Sequence, residues 1–342
     1  MLENTRSEEV QIEDKKKARV EKKPLPILGP DPNGPHLSTT PAEQAKPVSK
    51  EFLCQGISED IYQGIPESCP LNHFRHEFIT DLSQIQATTS YGGPGSKYKD
   101  INEDSFFFGQ NKNGATLAGV IDGSGGSNQG YLAGKIANQA LASSLLDNKS
   151  ILESFKIADE NVADFGNGGY ATGIAVAIES NRMAHIAGKG DAKLLTLRDK
   201  EILLEGRSQI HSAVARHIER GILPEHAIHT SSRKNIVTSV IGNIKLPVFH
   251  TSFQTQKNDL MILASDGFWD VVSEYETVEL AKTTPAHRLQ EELFELAYVR
   301  NNSTQAFFIQ FSKAEMHQMR PLFARKRDCR GDNITVMVLN IK

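Results

Sequence analysis

With 342 residues, 39% of them hydrophobic, the chain can bury a sizeable core, which excludes a mini-protein held together by staples. A formal net charge of −4, from 38 basic and 42 acidic residues, gives no global positive field and argues against nucleic-acid binding. Cys54, Cys69 and Cys329 show neither CxxC spacing nor scaffold density, so they read as reduced cytosolic thiols.

Residues 1–50 hold seven of the fourteen prolines and no aromatic residue, with a charge run at Glu13–Lys17. Such a composition buries too little apolar area to offset chain entropy, so the stretch reads as a disordered arm, with a docking peptide as the alternative. Its start, MLENTRSEEVQIEDKKK, lacks the apolar centre of a secretory signal, and no run in the chain is apolar enough to span a membrane. A cytoplasmic location is expected, with delivery into a host cell by a specialised secretion system left open. Residues 51–75 form a transitional segment in which Phe52, Ile57, Ile61, Tyr62 and Ile65 predict a short amphipathic helix.

From residue 76 to 342 the pattern is that of one packed domain. Apolar runs predict strands at Phe78–Ser90, Ser105–Phe108, Thr116–Ile121, Gly173–Ile178, Met183–Ala187, Leu194–Leu197, Leu260–Ala264 and Ile334–Ile341. Leu132, Ile136, Ala140, Leu141 and Leu145 recur at helical spacing, and Ile151–Phe165 continues as a second helix. Further helices are predicted over Ser212–Ile218, Tyr275–Ala281, Arg288–Arg300 and Phe307–Met319. Strand-rich blocks alternating with helix pairs, without steady βαβ repetition, predict an α+β layered domain.

Four acidic motifs stand at the ends of predicted strands: Asn102-Glu103-Asp104, Asp122-Gly123-Ser124-Gly125-Gly126, Ser265-Asp266-Gly267 and Asp332-Asn333. Taken singly, an Asp-Gly at a strand end is most often just a turn. Several carboxylates at strand mouths are costly to desolvate unless paired or bound to cations. Since no Cys or His set has metal spacing, the expectation is an oxygen-ligated hard metal site. Gly125-Gly126 precedes a helix but lacks the Lys-Ser/Thr end of a nucleotide-binding loop, which argues against a kinase or NTPase.

The order NED, DGxGG, ATG, GD, ASDGxWD and DN resembles the PP2C (PPM) family of metal-dependent protein serine/threonine phosphatases over about residues 85–342. ILASDGFWDVVS at 262–273 and RGDNITVMV at 330–338 carry most of the likeness, and HSAVARHIERGILPEHAIHTSSRKNIVTSVIG at 211–242 is similar to the family's flap segment. The resemblance implies a four-layer αββα sandwich, two antiparallel sheets flanked by helices. It implies hydrolysis of phosphoserine and phosphothreonine in phosphoproteins by a monomer using Mg²⁺ or Mn²⁺, two ions with a bridging hydroxide and a third, weaker ion. The alternative is a catalytically silent module that binds a partner; the full acidic set argues against it.

Residue by residue, Asp122 resembles the carboxylate bridging both metals, the Gly123 carbonyl a second ligand, and Asp266 and Asp332 the remaining ligands of the first ion. Asp191 matches a ligand of the third ion, while Glu103 and Asp104 match the pair orienting metal-bound water. Two positions depart from the pattern. Ser124 replaces a histidine of eukaryotic members, as in bacterial relatives, and Lys99 stands where the family's phosphate-gripping arginine does, giving a point charge without a bidentate fork. Trp269 reads as a core anchor.

Overall fold

Strands buried along their whole length arise where both faces of a sheet are covered, and TLAGVI of Thr116–Ser124 is such a strand, with six consecutive buried residues. A computed structural model describes residues 61–64, 74–90, 102–124, 128–166, 168–224, 226–231, 233–302, 307–310, 323–324 and 332–342. The arm at 1–50 and Lys99 lie outside the described residues.

In chain order the elements begin with β1 (Ile61–Gly64), β2 (Phe74–Ile79), β3 (Ser83–Ser90), β4 (Asp104–Gln110) and β5 (Thr116–Ser124). Helices α1 (Asn128–Leu146) and α2 (Ile151–Phe165) follow, then β6 (Tyr170–Ile178), β7 (Met183–Lys189), β8 (Lys193–Arg198) and β9 (Glu201–Arg207). Next come α3 (Ala213–Glu219), α4 (Ala227–Thr230), β10 (Phe249–Gln254), β11 (Leu260–Ala264) and α5 (Asp266–Trp269). The last are α6 (Glu274–Thr283), α7 (Ala286–Asn302), β12 (Phe307–Phe308), β13 (Phe323–Ala324) and β14 (Ile334–Ile341).

Two six-stranded antiparallel sheets result, ordered β1-β4-β5-β6-β7-β10 and β2-β3-β14-β11-β8-β9. Period-2 alternation sends neighbouring side chains to opposite faces. Phe106 and Phe108 of β4 enter the core between the sheets with Val120, Ile174, Leu194, Met261 and Met337. Phe107 points the other way, onto Ala137, Leu141, Phe155 and Val162 of α1 and α2. On the far side, Leu195, Ile262 and Val336 pack against Phe268, Trp269, Leu289 and Leu293. Helices therefore cover both outer faces, giving the expected αββα sandwich.

The helices are specified locally. Ser150 accepts the Glu153 N–H at the start of α2, Gly166 closes it in a left-handed conformation, and Ile151, Phe155, Ala158 and Val162 make the buried stripe. A capping box between Ser273 and Glu276 opens α6. Arg300 of α7 then grips Glu276 with two bonds of 2.7 and 2.8 Å, locking the two helices together.

Three expectations are corrected. The segment predicted as an amphipathic helix around Ile61 is instead β1, an edge strand paired with β4 from Ile61↔Gly109 to Gly64↔Phe106. Phe78–Ser90 is two strands, because the Thr80 hydroxyl accepts the Ser83 N–H at 2.9 Å and turns the chain between β2 and β3. Phe307 and Phe308, expected to open a helix running to Met319, pair as a strand with Phe323–Ala324, and residues 311–319 lie outside the described part.

Candidate metal centre

Each aspartate of the centre is delivered by a different strand end. Asp122 lies near the end of β5, opposite Asp104 of β4 on one side and Thr172 of β6 on the other. Asp191 stands in the turn from β7 to β8. Gly190, just before it, has φ +90°, and a Cβ there would sit 2.3 Å from the Thr172 side chain, so only glycine lets this turn form. Asp266 is the first residue of α5, at the exit of β11. Gly267 is required next to it, since a Cβ would meet the Asn333 carbonyl at 1.9 Å. That close approach lays Asp266 against the Asp332-Asn333 turn before β14.

One carboxylate oxygen from each of Asp122, Asp191 and Asp266 lies within 4.8 Å of the other two, and all three residues are half-buried. Three of the predicted ligands are thus brought together. Asp332 is outside this trio, with Oδ1 accepting the Asn333 N–H at 2.9 Å. Its charge nevertheless reaches the cluster: Asp266 is pushed well above the usual carboxylate range, by burial first and by Asp332 second. Burial, with the charge of Asp270 next, lifts Asp191 to about 7. Among the described residues no lysine or arginine is ion-paired with Asp191 or Asp266. Carboxylates that repel one another in a desolvated pocket fit divalent cations, and an all-oxygen donor set suits Mg²⁺ or Mn²⁺.

Gly123 donates its N–H to the Glu103 carbonyl at 3.2 Å, which ties the two motifs together. Glu103 is 6% exposed, and its own N–H is held by Asn333 Oδ1 at 2.9 Å. Asp104 is 2% exposed; its Oδ2 accepts the hydroxyls of Ser265 at 2.6 Å and Thr335 at 2.9 Å. This places Asp104 among bracing groups. Ser265 Oγ also accepts the Thr335 N–H at 3.1 Å, while Thr335 Oγ1 lies 2.7 Å from Thr89 Oγ1, which accepts from Asn102 at 2.9 Å. Sequence reasoning missed Ser265, Thr335 and Thr89. The first stands inside the ASDG motif and the second two residues after Asn333, so motif membership was their available signal.

Asp191 and Asp266 form part of the wall of a cavity of about 850 Å³. Asp270 and Lys234, an ion pair, lie beside them, as does His229, which burial holds down at about 3 and therefore neutral. Lys193 pairs with Glu274 and lies 4.8 Å over the Trp269 ring, and the Trp269 indole donates to the Lys193 carbonyl at 3.2 Å. Trp269, 7% exposed, is a core anchor as expected.

The family described as Protein phosphatase 2C matches residues 244–305. Protein phosphatase 2C homolog 7, mitochondrial, of Saccharomyces cerevisiae is 29% identical over 209 residues, 56% of this chain and 59% of its own length. The matched region thus spans less than two thirds of that relative. Serine/threonine phosphatase stp of Listeria monocytogenes is 25% identical over 202 residues, 53% of this chain and 78% of its own. Among solved structures, the S. agalactiae serine/threonine phosphatase superposes with a TM-score of 0.58 at 21% identity, covering 76% of this chain and 100% of that one. The catalytic domain of the serine threonine protein phosphatase PstP, solved with two manganese ions, gives 0.55 at 20% identity, covering 76% and 98%. Among the described residues no helix is long and apolar enough to cross a membrane. The motif order and the family match over residues 244–305 make the chain similar to protein phosphatase 2C, and its two-sheet sandwich is the fold of the solved serine/threonine phosphatases.

Proposed function

We propose that the chain hydrolyses phosphoserine and phosphothreonine in phosphoproteins at a centre of two divalent cations, Mg²⁺ or Mn²⁺. The observation that carries this reading is the convergence of Asp122, Asp191 and Asp266 from three separate strand ends to within 4.8 Å. Asp122, the Gly123 carbonyl, Asp266 and Asp332 would hold the principal ions, and Asp191 with Asp266 a third. When bound, the ions would supply an acidified bridging water as nucleophile and would neutralise charge on the phosphoryl oxygens during in-line displacement. The protein's share is positional. Asp104, fixed by two hydroxyls, braces the β4–β5 pair beside Asp122, and the Asn333 amide oxygen holds the Glu103 backbone on the same side. Glu103 is proposed to orient water, and Lys99 to attract the phosphate. Since His229 is neutral, it is no general acid at neutral pH, and water is proposed as the proton source for the leaving alkoxide. The chain is further proposed to work as a monomer in the cytoplasm.

The test is hydrolysis of a phosphothreonine peptide by the full chain with Mn²⁺, against the same reaction in EDTA. Turnover with Mn²⁺ and its loss in EDTA are expected. Turnover that EDTA leaves unchanged would overturn the metal-dependent mechanism.

A further inference from the structure

Two residues before Asp191, at the end of β7, Lys189 is 1% exposed, an unusual place for a lysine. Its ammonium donates to Asp159 Oδ2 at 2.6 Å and to the Asn243 carbonyl at 2.9 Å. Asp159, on α2 and 3% exposed, uses its other oxygen to accept the Gly242 N–H at 3.0 Å. One buried ion pair therefore joins a strand, a helix and the 242–243 turn.

That turn ends the long excursion between β9 and β10. Ile241 and Ala171 exchange two backbone bonds of 2.7 and 3.1 Å, next to Thr172, the cross-strand partner of Asp122. At the other side of the excursion, the His211 N–H binds the Gly190 carbonyl at 2.7 Å, and the His211 carbonyl accepts the Thr238 N–H at 2.7 Å. Asp191 is thus flanked by the point where residues 208–243 leave the sheets and the point where they return. A buried ion pair gives little net stability over an apolar pair of similar volume, because desolvating two charges offsets their attraction. What it adds here is direction, through three fixed hydrogen bonds.

We propose that Lys189 and Asp159 form a positioning clamp that fixes the Asp191 turn and the return of the 208–243 excursion against the metal centre. The proposal rests on the metal-dependent reading above. Neither residue touches substrate; both act through the backbone of Gly190-Asp191 and of Gly242-Asn243.

The experiment compares the full-length wild type with the double variant Asp159→Leu/Lys189→Met, in which both charges are replaced by apolar groups. Thermal unfolding checks the fold, calorimetric titration with Mn²⁺ reads metal binding, and hydrogen exchange reads the Gly242 amide, whose N–H Asp159 accepts. The expected result is a folded protein whose weakest class of Mn²⁺ sites loses roughly tenfold or more in affinity, as on loss of outer-shell support. Exchange at the Gly242 amide should rise by about tenfold or more. Wild-type exchange rates, or wild-type affinity at every Mn²⁺ site, would overturn the clamp. Should the double variant fail to fold, Asp159→Asn keeps an acceptor for Gly242 while removing the charge, and Mn²⁺ affinity decides: a loss at the weakest class of sites is expected, and wild-type affinity at every site would overturn the clamp. A wild type that takes up no Mn²⁺ would instead sink the reading of the centre, and the exchange comparison would still decide the clamp.

Discussion

Asp104 offers a test that separates bracing from metal ligation. Its Oδ2 accepts two buried hydroxyls, from Ser265 and Thr335, and the residue is 2% exposed. Asp104→Ala removes the charge and strands both donors, whereas Asp104→Asn removes the same charge and keeps an amide oxygen able to accept both. The difference between the variants therefore isolates the hydroxyls from any effect of charge on the neighbouring carboxylates. A stranded buried donor costs about 1–3 kcal/mol, and two donors sharing one acceptor do not add fully, so the alanine variant should be less stable than the asparagine variant by about 2–4 kcal/mol. Urea unfolding in EDTA reads this as a lower midpoint with an unchanged slope. Equal midpoints for the two variants would refute the bracing role and return Asp104 to the face of the site.

Asp122→Ala, Asp266→Ala and Asp332→Ala should each abolish phosphopeptide turnover at saturating Mn²⁺ while leaving a folded protein; wild-type activity in Asp122→Ala would show the centre to be misplaced. Asp191, lifted to about 7 by burial and Asp270, holds a proton in the folded chain that the unfolded chain has lost, so its contribution is intact at low pH and disappears as pH rises through about 7. His211 and His229, both held down by burial, titrate in the opposite sense, so the contribution is read as a difference. In EDTA, the stability of wild type minus that of Asp191→Asn should fall between pH 4 and 7, and a flat or rising difference would contradict it. Ser124→His should raise the rate on phosphoserine peptides more than on p-nitrophenyl phosphate, because an alkoxide leaving group needs protonation and a phenolate needs little. Equal changes on both substrates, with Mn²⁺ affinity unaltered, would mean that position 124 does not face the leaving group.

How far the sequence could be read depended on whether the signal was local. Leu260–Ala264 and Ile334–Ile341 are apolar along their length because each is covered on both faces, and they were found with correct bounds. β9 was missed: EILLEGR is largely exposed, with Leu204 75% exposed and an irregular register against β8, so its apolar residues mark no face. Two adjacent phenylalanines at 307–308 fit a helix as well as a strand, and only pairing with Phe323–Ala324 decides the matter. At the centre, Asp122, Asp191 and Asp266 were singled out by the order of short motifs, and the structure brings one oxygen of each to within 4.8 Å of the others. Asp159 and Lys189 were not singled out, since their pairing joins residues 30 positions apart and follows no period.

The pairing of acids locates the centre independently of any motif. Asp159 is matched by Lys189, Asp259 by Arg198, Asp270 by Lys234, Glu274 by Lys193 and Arg207, and Glu276 by Arg300. In each case a protein cation stands against the carboxylate and offsets part of the cost of taking it out of water. Asp191 and Asp266 are raised first by burial, and the largest charges acting on them after it are other carboxylates, Asp270 and Asp332. Here carboxylates are gathered against one another, a disposition that a divalent cation would relieve. Asp191 at the β7–β8 turn and Asp266 at the exit of β11 are so placed, and both supply oxygens to the trio that lies within 4.8 Å. Electrostatic need and ligand geometry, argued separately, therefore point to the same place.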